Sequence, residues 1–191
     1  MHPIYHLRDL CDRVHPAQPY QWRSYMACKF FEMLDARWAE GARVCVGLDP
    51  QLDRIPDSIK NSKRSSSPQL EFNVKIIDAT KDLALCYKPN LAFYKGPEGL
   101  HALRNTVAHI RTAAPGIPII LDAKYADIGN TNLGYVQNTF DWLSCDAVTV
   151  HNYMGQEAMK PFLDRVDKGI IVVCKTSNAG SREFQDIIVE M

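Results

Sequence analysis

The chain has 191 residues, 46% of them apolar, enough for one domain with a substantial core. Lys plus Arg and Asp plus Glu number 22 each, so the formal net charge is zero. That balance argues against bulk attraction to nucleic acid or to an anionic membrane surface, and an anionic ligand must be held by a local cluster of charge.

Residues 1–22 hold three prolines and no steady periodicity, and read as an irregular lead to a domain over 23–191. Nothing near Met1 resembles a signal peptide, because His2-Pro3 and Arg8-Asp9 interrupt any apolar core, and no apolar run is long enough to span a bilayer. From Ser24, the spacing Ala27, Phe30, Leu34, Trp38 predicts a helix ending near Gly41. After it the chain alternates. Apolar or β-branched runs at 44–48, 83–87, 117–121, 146–150 and 170–174 predict five strands. Between them lie segments with helical spacing: Phe72, Ile76, Ala79, Leu83; then Leu100, Leu103, Val107, Ile110; then Leu133, Val136, Phe140, Leu143; then Met159, Phe162, Val166. Strict alternation implies parallel βαβ units, and continuous apolar strands fit a sheet buried on both faces. This pattern leaves both a doubly wound sheet and a closed barrel open. The Ser- and Lys-rich stretch Ser58 to Gln69 reads as a solvated loop between the first strand and its helix. The six cysteines (Cys11, Cys28, Cys45, Cys86, Cys145, Cys174) form no C-x-x-C pair, which gives a zinc ribbon or a disulfide framework little support. Cys45, Cys86 and Cys174 fall in strand-like runs as small reduced hydrophobes, so a reducing, cytoplasmic setting is expected.

The polar residues that follow the strands carry the chemistry. Asp49 follows the first, Lys88 the second, Asp122 and Lys124 the third, His151 and Asn152 the fourth, and Lys175, Thr176 and Ser177 the fifth. Barrel and open α/β enzymes place their sites at such C-terminal strand ends. Residues two apart on an extended strand share a face, so Asp122 and Lys124 are expected to project together. Opposite charges about 4 Å apart attract by about 4 kcal/mol at an effective dielectric near 20, enough to pin the ammonium in place. A pinned ammonium can act as a proton donor; the same pair could also be a structural ion pair at a barrel rim.

The run D-A-K-Y-A-D-I-G-N-T at 122–131 resembles the D-x-K-x-x-D-I-x-x-T signature of the orotidine 5′-phosphate decarboxylases. V-G-L-D-P at 46–50, Y-K-P-N-L-A-F-Y at 87–94, T-V-H-N-Y-M-G at 149–155 and K-T-S-N-A-G at 175–180 are similar to further blocks of that family, in order, and closest to its longer bacterial-type branch. The resemblance implies an α/β fold, the (β/α)8 TIM barrel, with only about the first five βα units present. It implies a cofactor-independent carboxy-lyase of pyrimidine biosynthesis that converts orotidine 5′-monophosphate to UMP, working as a homodimer with shared active sites. By the same resemblance Lys124 protonates C6 of the pyrimidine, Asp122 lies beside the substrate carboxylate, and Asp127 enters from the partner subunit with Ile128 and Thr131. Lys88 completes the charge network and, with Asp49, contacts the ribose, while Ser177 binds the pyrimidine edge. Neither a metal nor an organic cofactor is implied, and no partner beyond a nucleotide substrate and a second copy. His2 and His6, the only closely spaced histidines, lie in the lead with no Cys or carboxylate cluster to complete a metal site.

Two departures stand out: Tyr125-Ala126 where the family often has Arg-Gly, and His151-Asn152 where it often has Asn-Pro. His151 is expected to be a strand-end histidine bound to its neighbours rather than an acid or base. Five predicted strands fall short of eight, and a barrel of this kind takes about 250 residues. The expectation is therefore a C-terminally incomplete decarboxylase, or the decarboxylase part of a bifunctional UMP synthase, with its phosphate-binding loops beyond Met191. The alternatives are another sugar-phosphate decarboxylase of the superfamily and a non-catalytic fragment.

Overall fold

The computed structural model describes residues 28–62 and 67–187. The lead over 1–22, the start of the first predicted helix (Ser24, Ala27) and Cys11 lie outside them. Helix α1 runs Lys29–Ala39 and is followed by β1, Val44–Leu48. Next come the short α2, Asp57–Lys60, then α3, Pro68–Thr80, and β2, Ala84–Pro89. A 3-10 turn at Leu91–Phe93 leads to α4, Gly96–Ala113, and β3, Ile120–Tyr125. Helix α5, Gly129–Val136, continues as a π-helical turn over Gln137–Trp142 and precedes β4, Ala147–His151. Helix α6, Gly155–Leu163, then β5, Gly169–Val173, a 3-10 turn at Ala179–Ser181 and α7, Arg182–Gln185, complete the order.

The strands pair in parallel and in sequence. β1 pairs with β2, and β3 with β4, which pairs with β5. Single bridges, Tyr87 to Ile119 and Asn90 to Asp122, join β2 to β3. The order β1-β2-β3-β4-β5 never reverses, whereas a doubly wound sheet must reverse where its halves meet. The described residues are thus five βα units of a (β/α)8 barrel, with β1 and β5 as the edges.

Alternation along the strands separates two layers of side chains. Tyr87, Ile119, Leu121, Val148 and Val150 face the helices and pack with Ile77, Leu103, Val107, Ile110, Val136, Phe140 and Phe162. On the opposite, inner face Cys86, Ile120 and Ala147 pack against Cys28, Phe30 and Leu34, so α1 closes the N-terminal end of the barrel. Gly169, paired with Ala147, belongs to the same layer. A Cβ there would meet the Phe30 ring at 2.4 and 2.7 Å and the Ala147 methyl at 2.8 Å, so the glycine makes room for the plug. At this same end Asp146 is buried, accepting hydrogen bonds from Arg111 (2.7 Å) and from the Ile119 amide (2.8 Å), which ties α4 to the start of β4.

Several local expectations change. The third strand begins three residues later than the apolar run suggests, because Pro118 cannot donate to a ladder and Ile117 is part of the preceding turn. The Ser58–Gln69 loop is narrower than its composition implies. Ser58 to Lys60 are helical, and Pro68 and Gln69 open α3, where Ser67 Oγ accepts from the Leu70 amide and Pro68 takes the first helical position. Buried Gln69 donates to the Pro50 and Phe93 carbonyls (3.2 and 2.6 Å). Leu83 and Val166 fall beyond their helices and are 67% and 75% exposed, while Leu133 lies on the outer side of α5. Leu143 is nonetheless buried, because the π turn re-phases the helix, with its amide bonded to the Asn138 carbonyl five residues back. All cysteines of the described residues are free thiols, but Cys45 and Cys174 are exposed rather than core hydrophobes. No helix among the described residues is long and apolar enough to cross a membrane.

The Gly169 contact yields a stability test. Gly169→Ala is expected to cost about 1–3 kcal/mol in urea unfolding through overpacking against Phe30. Combined with Phe30→Ala, the loss should be smaller than the sum of the two single losses, since removing the ring frees the space the new methyl needs.

Candidate active site

One step along the inner face, the apolar layer gives way to charge. Cys86 is followed two residues on by Lys88, Ile120 by Asp122 and Ala147 by Thr149, so the same alternation that builds the plugged layer delivers these three side chains at the next level toward the C-terminal strand ends. Asp122 is 7% exposed. Its Oδ2 accepts from Lys88 Nζ at 2.7 Å, and its Oδ1 from Lys124 Nζ at 2.6 Å and from the Thr149 hydroxyl at 2.9 Å. Burial works to raise the Asp122 carboxyl, but hydrogen bonds from Lys124, Lys88 and Thr149 outweigh it and bring the group down to about 2. Burial alone would lower Lys88; the hydrogen bond and charge of Asp122, with the charge of Asp49, carry it upward instead. The Lys124 side chain remains nearly half exposed.

The route by which Lys124 reaches Asp122 differs from the expected one. Simple extended alternation does not hold here, because Lys124 has φ 51°, in the left-handed region. The pairing explains it. Leu121 pairs with Val148 and Tyr125 with Val150, so three residues of β3, Asp122 to Lys124, face the single residue Thr149 of β4. The extra residues form a bulge, a device that re-aims side chains. A non-glycine residue in this conformation costs about 1–2 kcal/mol, offset here by the ion pair with Asp122 and by the Lys124 amide donating to Thr149 Oγ1 at 2.9 Å. Both charged residues lie inside β3 rather than after it.

The other predicted residues are gathered less tightly. Asp49 is exposed just after β1, close enough to act on Lys88 by charge. Asp127 accepts from the Ile128 amide at 2.8 Å, and among the described residues no hydrogen bond or ion pair joins it to Lys124. Ile128, Thr131 and Ser177 are exposed around the same rim. Beyond β5, Lys175 pairs with Asp186, and the Thr176 amide donates to Gln185 (2.8 Å). His151 is half-buried at the end of β4, and no hydrogen bond joins its ring to another described residue, so the expected neighbour contacts are absent there. Cys45 on β1 is an addition: the neighbouring Cys86 thiol, its register partner, and the charge of Lys88 lower its thiol to about 7 against the opposing effect of burial.

Two residues with clear geometry went unassigned in the sequence. Thr149 lay in a resembling block, but only the β3–β4 register reveals that it faces the bulge. Asn132 is buried, and its Nδ2 donates to the Asp127 carbonyl (2.6 Å) and the Ala158 carbonyl (2.7 Å), fastening the Asp127 turn to α6. Among the described residues no group of three or more His, Cys, Asp or Glu could hold a metal ion. The arrangement itself can fix a cation beside a buried carboxylate at a barrel mouth, stabilise negative charge developing nearby and deliver a proton.

The sequence profile of the orotidine 5′-phosphate decarboxylase/HUMPS family matches residues 42–191. An orotidine 5′-phosphate decarboxylase of Natronomonas pharaonis is 43% identical over 162 residues, covering 84% of this chain and 58% of that protein. Among solved structures, Leishmania donovani OMP decarboxylase superposes with a TM-score of 0.72 at 36% identity, over 84% of this chain and 59% of the other. Leishmania donovani UMP synthase superposes with a TM-score of 0.73 at 35% identity, over 85% of this chain and 33% of the other. The chain thus spans little more than half the length of the curated relatives it matches.

The Asp122 carboxyl sets an acid limit on stability. Its folded value of about 2 lies below the ordinary 3.8, so its contribution is present above pH 4 and fades as pH falls through about 2. A shift of this size corresponds to about 2 kcal/mol. The stability gap between the parent chain and Asp122→Asn, from denaturant unfolding at stepped pH, should be largest above pH 4 and shrink toward pH 2.

Proposed function

The chain belongs to the orotidine 5′-phosphate decarboxylase/HUMPS family, and from that premise we propose that the protein decarboxylates orotidine 5′-monophosphate to uridine 5′-monophosphate. The observation that carries the reading is the buried Asp122 carboxylate shared between Lys88 and Lys124 at the barrel mouth. Relatives named orotidine 5′-phosphate decarboxylase, 43% and 45% identical, favour this reaction over other sugar-phosphate chemistry.

The chemistry follows from the charges. Breaking the bond between C6 and the substrate carboxylate releases carbon dioxide and leaves the electron pair on C6. That pair lies in the ring plane, out of conjugation with the pyrimidine carbonyls, so a fixed cation close to C6 is the available stabiliser. Lys124 is held by Asp122 while its head stays accessible, and its proton passes to C6; solvent then restores the ammonium. In this reading Asp122 lies beside the substrate carboxylate, and its negative charge favours loss of that group. Lys88 keeps Asp122 ionised and, with Asp49, binds the ribose hydroxyls; Ser177 meets the pyrimidine edge.

Asp127, Ile128 and Thr131 serve the site of a second subunit in this proposal, which makes the enzyme a homodimer with composite sites. The 57% exposure of apolar Ile128 and the lack of any bond from Asp127 to Lys124 in the same chain support that division. A domain over 23–191 and a cytoplasmic setting belong to the same reading.

Lys124→Ala should lower turnover of orotidine 5′-monophosphate by more than about 10³-fold, followed as loss of orotate absorbance. Turnover that survives this change would remove the proton-donor role. A mixed population of Lys124→Ala and Asp127→Ala subunits, unfolded and refolded together, should recover about a quarter of parental activity, because half the dimers are mixed and each mixed dimer has one intact composite site. Recovery of no activity would place Asp127 in its own subunit's site.

A further inference from the structure

We propose that Thr149 is the positioning residue of this site: one hydroxyl locks the β3 bulge that aims Lys124 and, in the same stroke, holds the Asp122 carboxylate. The inference rests on the decarboxylase reading for its kinetic consequence, although its structural content stands independently.

Three observations converge on it. First, the register leaves Thr149 as the sole β4 residue opposite Asp122, Ala123 and Lys124. Second, its hydroxyl uses both capacities at once, donating to Asp122 Oδ1 and accepting from the Lys124 amide, each at 2.9 Å. A bulge strips an amide of its ladder partner, and a buried amide without an acceptor is costly, so the hydroxyl stands in for the missing strand carbonyl. Third, Thr149 is 8% exposed and its branched Cβ restricts χ1, which fixes the oxygen between its two partners. Lys124 keeps its positive φ while both its ends are tied, the amide to Thr149 and the ammonium to Asp122. Removing the hydroxyl releases the first tie and weakens the anchor of the second.

The titratable groups facing Asp122 are Lys88 of β2, Lys124 of its own strand and Cys45 of β1, with His151 two residues beyond Thr149 on β4. Both lysines still pair with Asp122 when Thr149 changes, even as Lys124 shifts, so Asp122 should remain a low carboxyl, displaced upward rather than freed.

Thr149→Val keeps the shape and deletes the hydroxyl; Thr149→Ser keeps the hydroxyl. For the valine variant kcat on orotidine 5′-monophosphate should fall about 10- to 100-fold while KM changes less than about threefold, since a small misplacement of a reacting group is expensive and the proposal gives Thr149 no part in binding substrate. The serine variant should recover most of kcat. In parallel, the Lys124 amide resonance and the Asp122 carboxyl titration, read by NMR, should move in the valine variant and return toward the parent in the serine variant. Equal loss in both variants would overturn the proposal, because bulk rather than the hydroxyl would then be at issue. Unchanged kcat with unchanged Lys124 and Asp122 resonances in the valine variant would overturn it as well. If the full-length parent protein fails to turn over the nucleotide, the functional reading falls, and the two resonances still decide the positioning role.

Discussion

A carboxylate buried among cations is the constraint around which this end of the molecule is arranged. Left alone, Asp122 would be driven toward its neutral form by burial; two ammonium groups and a hydroxyl hold it ionised. Each partner comes from a separate place in the chain: Lys88 from β2, Thr149 from β4 and Lys124 from a bulge in β3 itself. The network therefore exists only when three neighbouring parallel strands are in register. In return it ties those strands together where the ladder between β2 and β3 thins to single bridges.

The barrel contains a second buried aspartate, and the contrast is informative. Asp146, at the N-terminal end of β4, is bonded to Arg111 and to the Ile119 amide. Asp122, at the opposite end, is bonded to two lysines, of which Lys124 is the more exposed. Arg111 Nη2 bridges the Asp146 carboxylate and the Ser144 carbonyl, which holds α4 against the sheet. A lysine head is a compact point charge with protons to spare, suited to chemistry. Barrels keep stability at the N-terminal end and chemistry at the C-terminal end, and the two buried aspartates lie at those two ends. Between the two ends lies the apolar layer of Cys86, Ile120, Ala147 and Gly169, closed by Phe30 of α1.

Much of the architecture was legible in the residues. The five apolar runs name the strands because parallel strands buried on both faces must be apolar throughout, and each is found within a few residues of its predicted place. The misplacements have local causes: Pro118 delays β3, and proline and serine at the start of α3 convert part of an apparent loop into a helix N-terminus. Leu83 and Val166 matched a helical period yet lie past the helix ends, since periodicity marks a face and says little about where the helix stops.

The pairing of Asp122 with Lys124 was also in the sequence, as a carboxylate and an amine two residues apart at the end of an apolar run. The geometry that joins them was not. Alternation alone would place both on one face of a straight strand, whereas the bulge and the left-handed Lys124 depend on how β3 registers against β4, a contact between residues 27 apart in the case of Asp122 and Thr149. Likewise the choice of a barrel over a doubly wound sheet rests on the order of strands, which no local pattern encodes. Residue chemistry and spacing are written along the chain; register and strand order arise only when distant segments compete for the same hydrogen bonds. That competition decided which threonine, among those of the described chain, faces the Asp122–Lys124 pair.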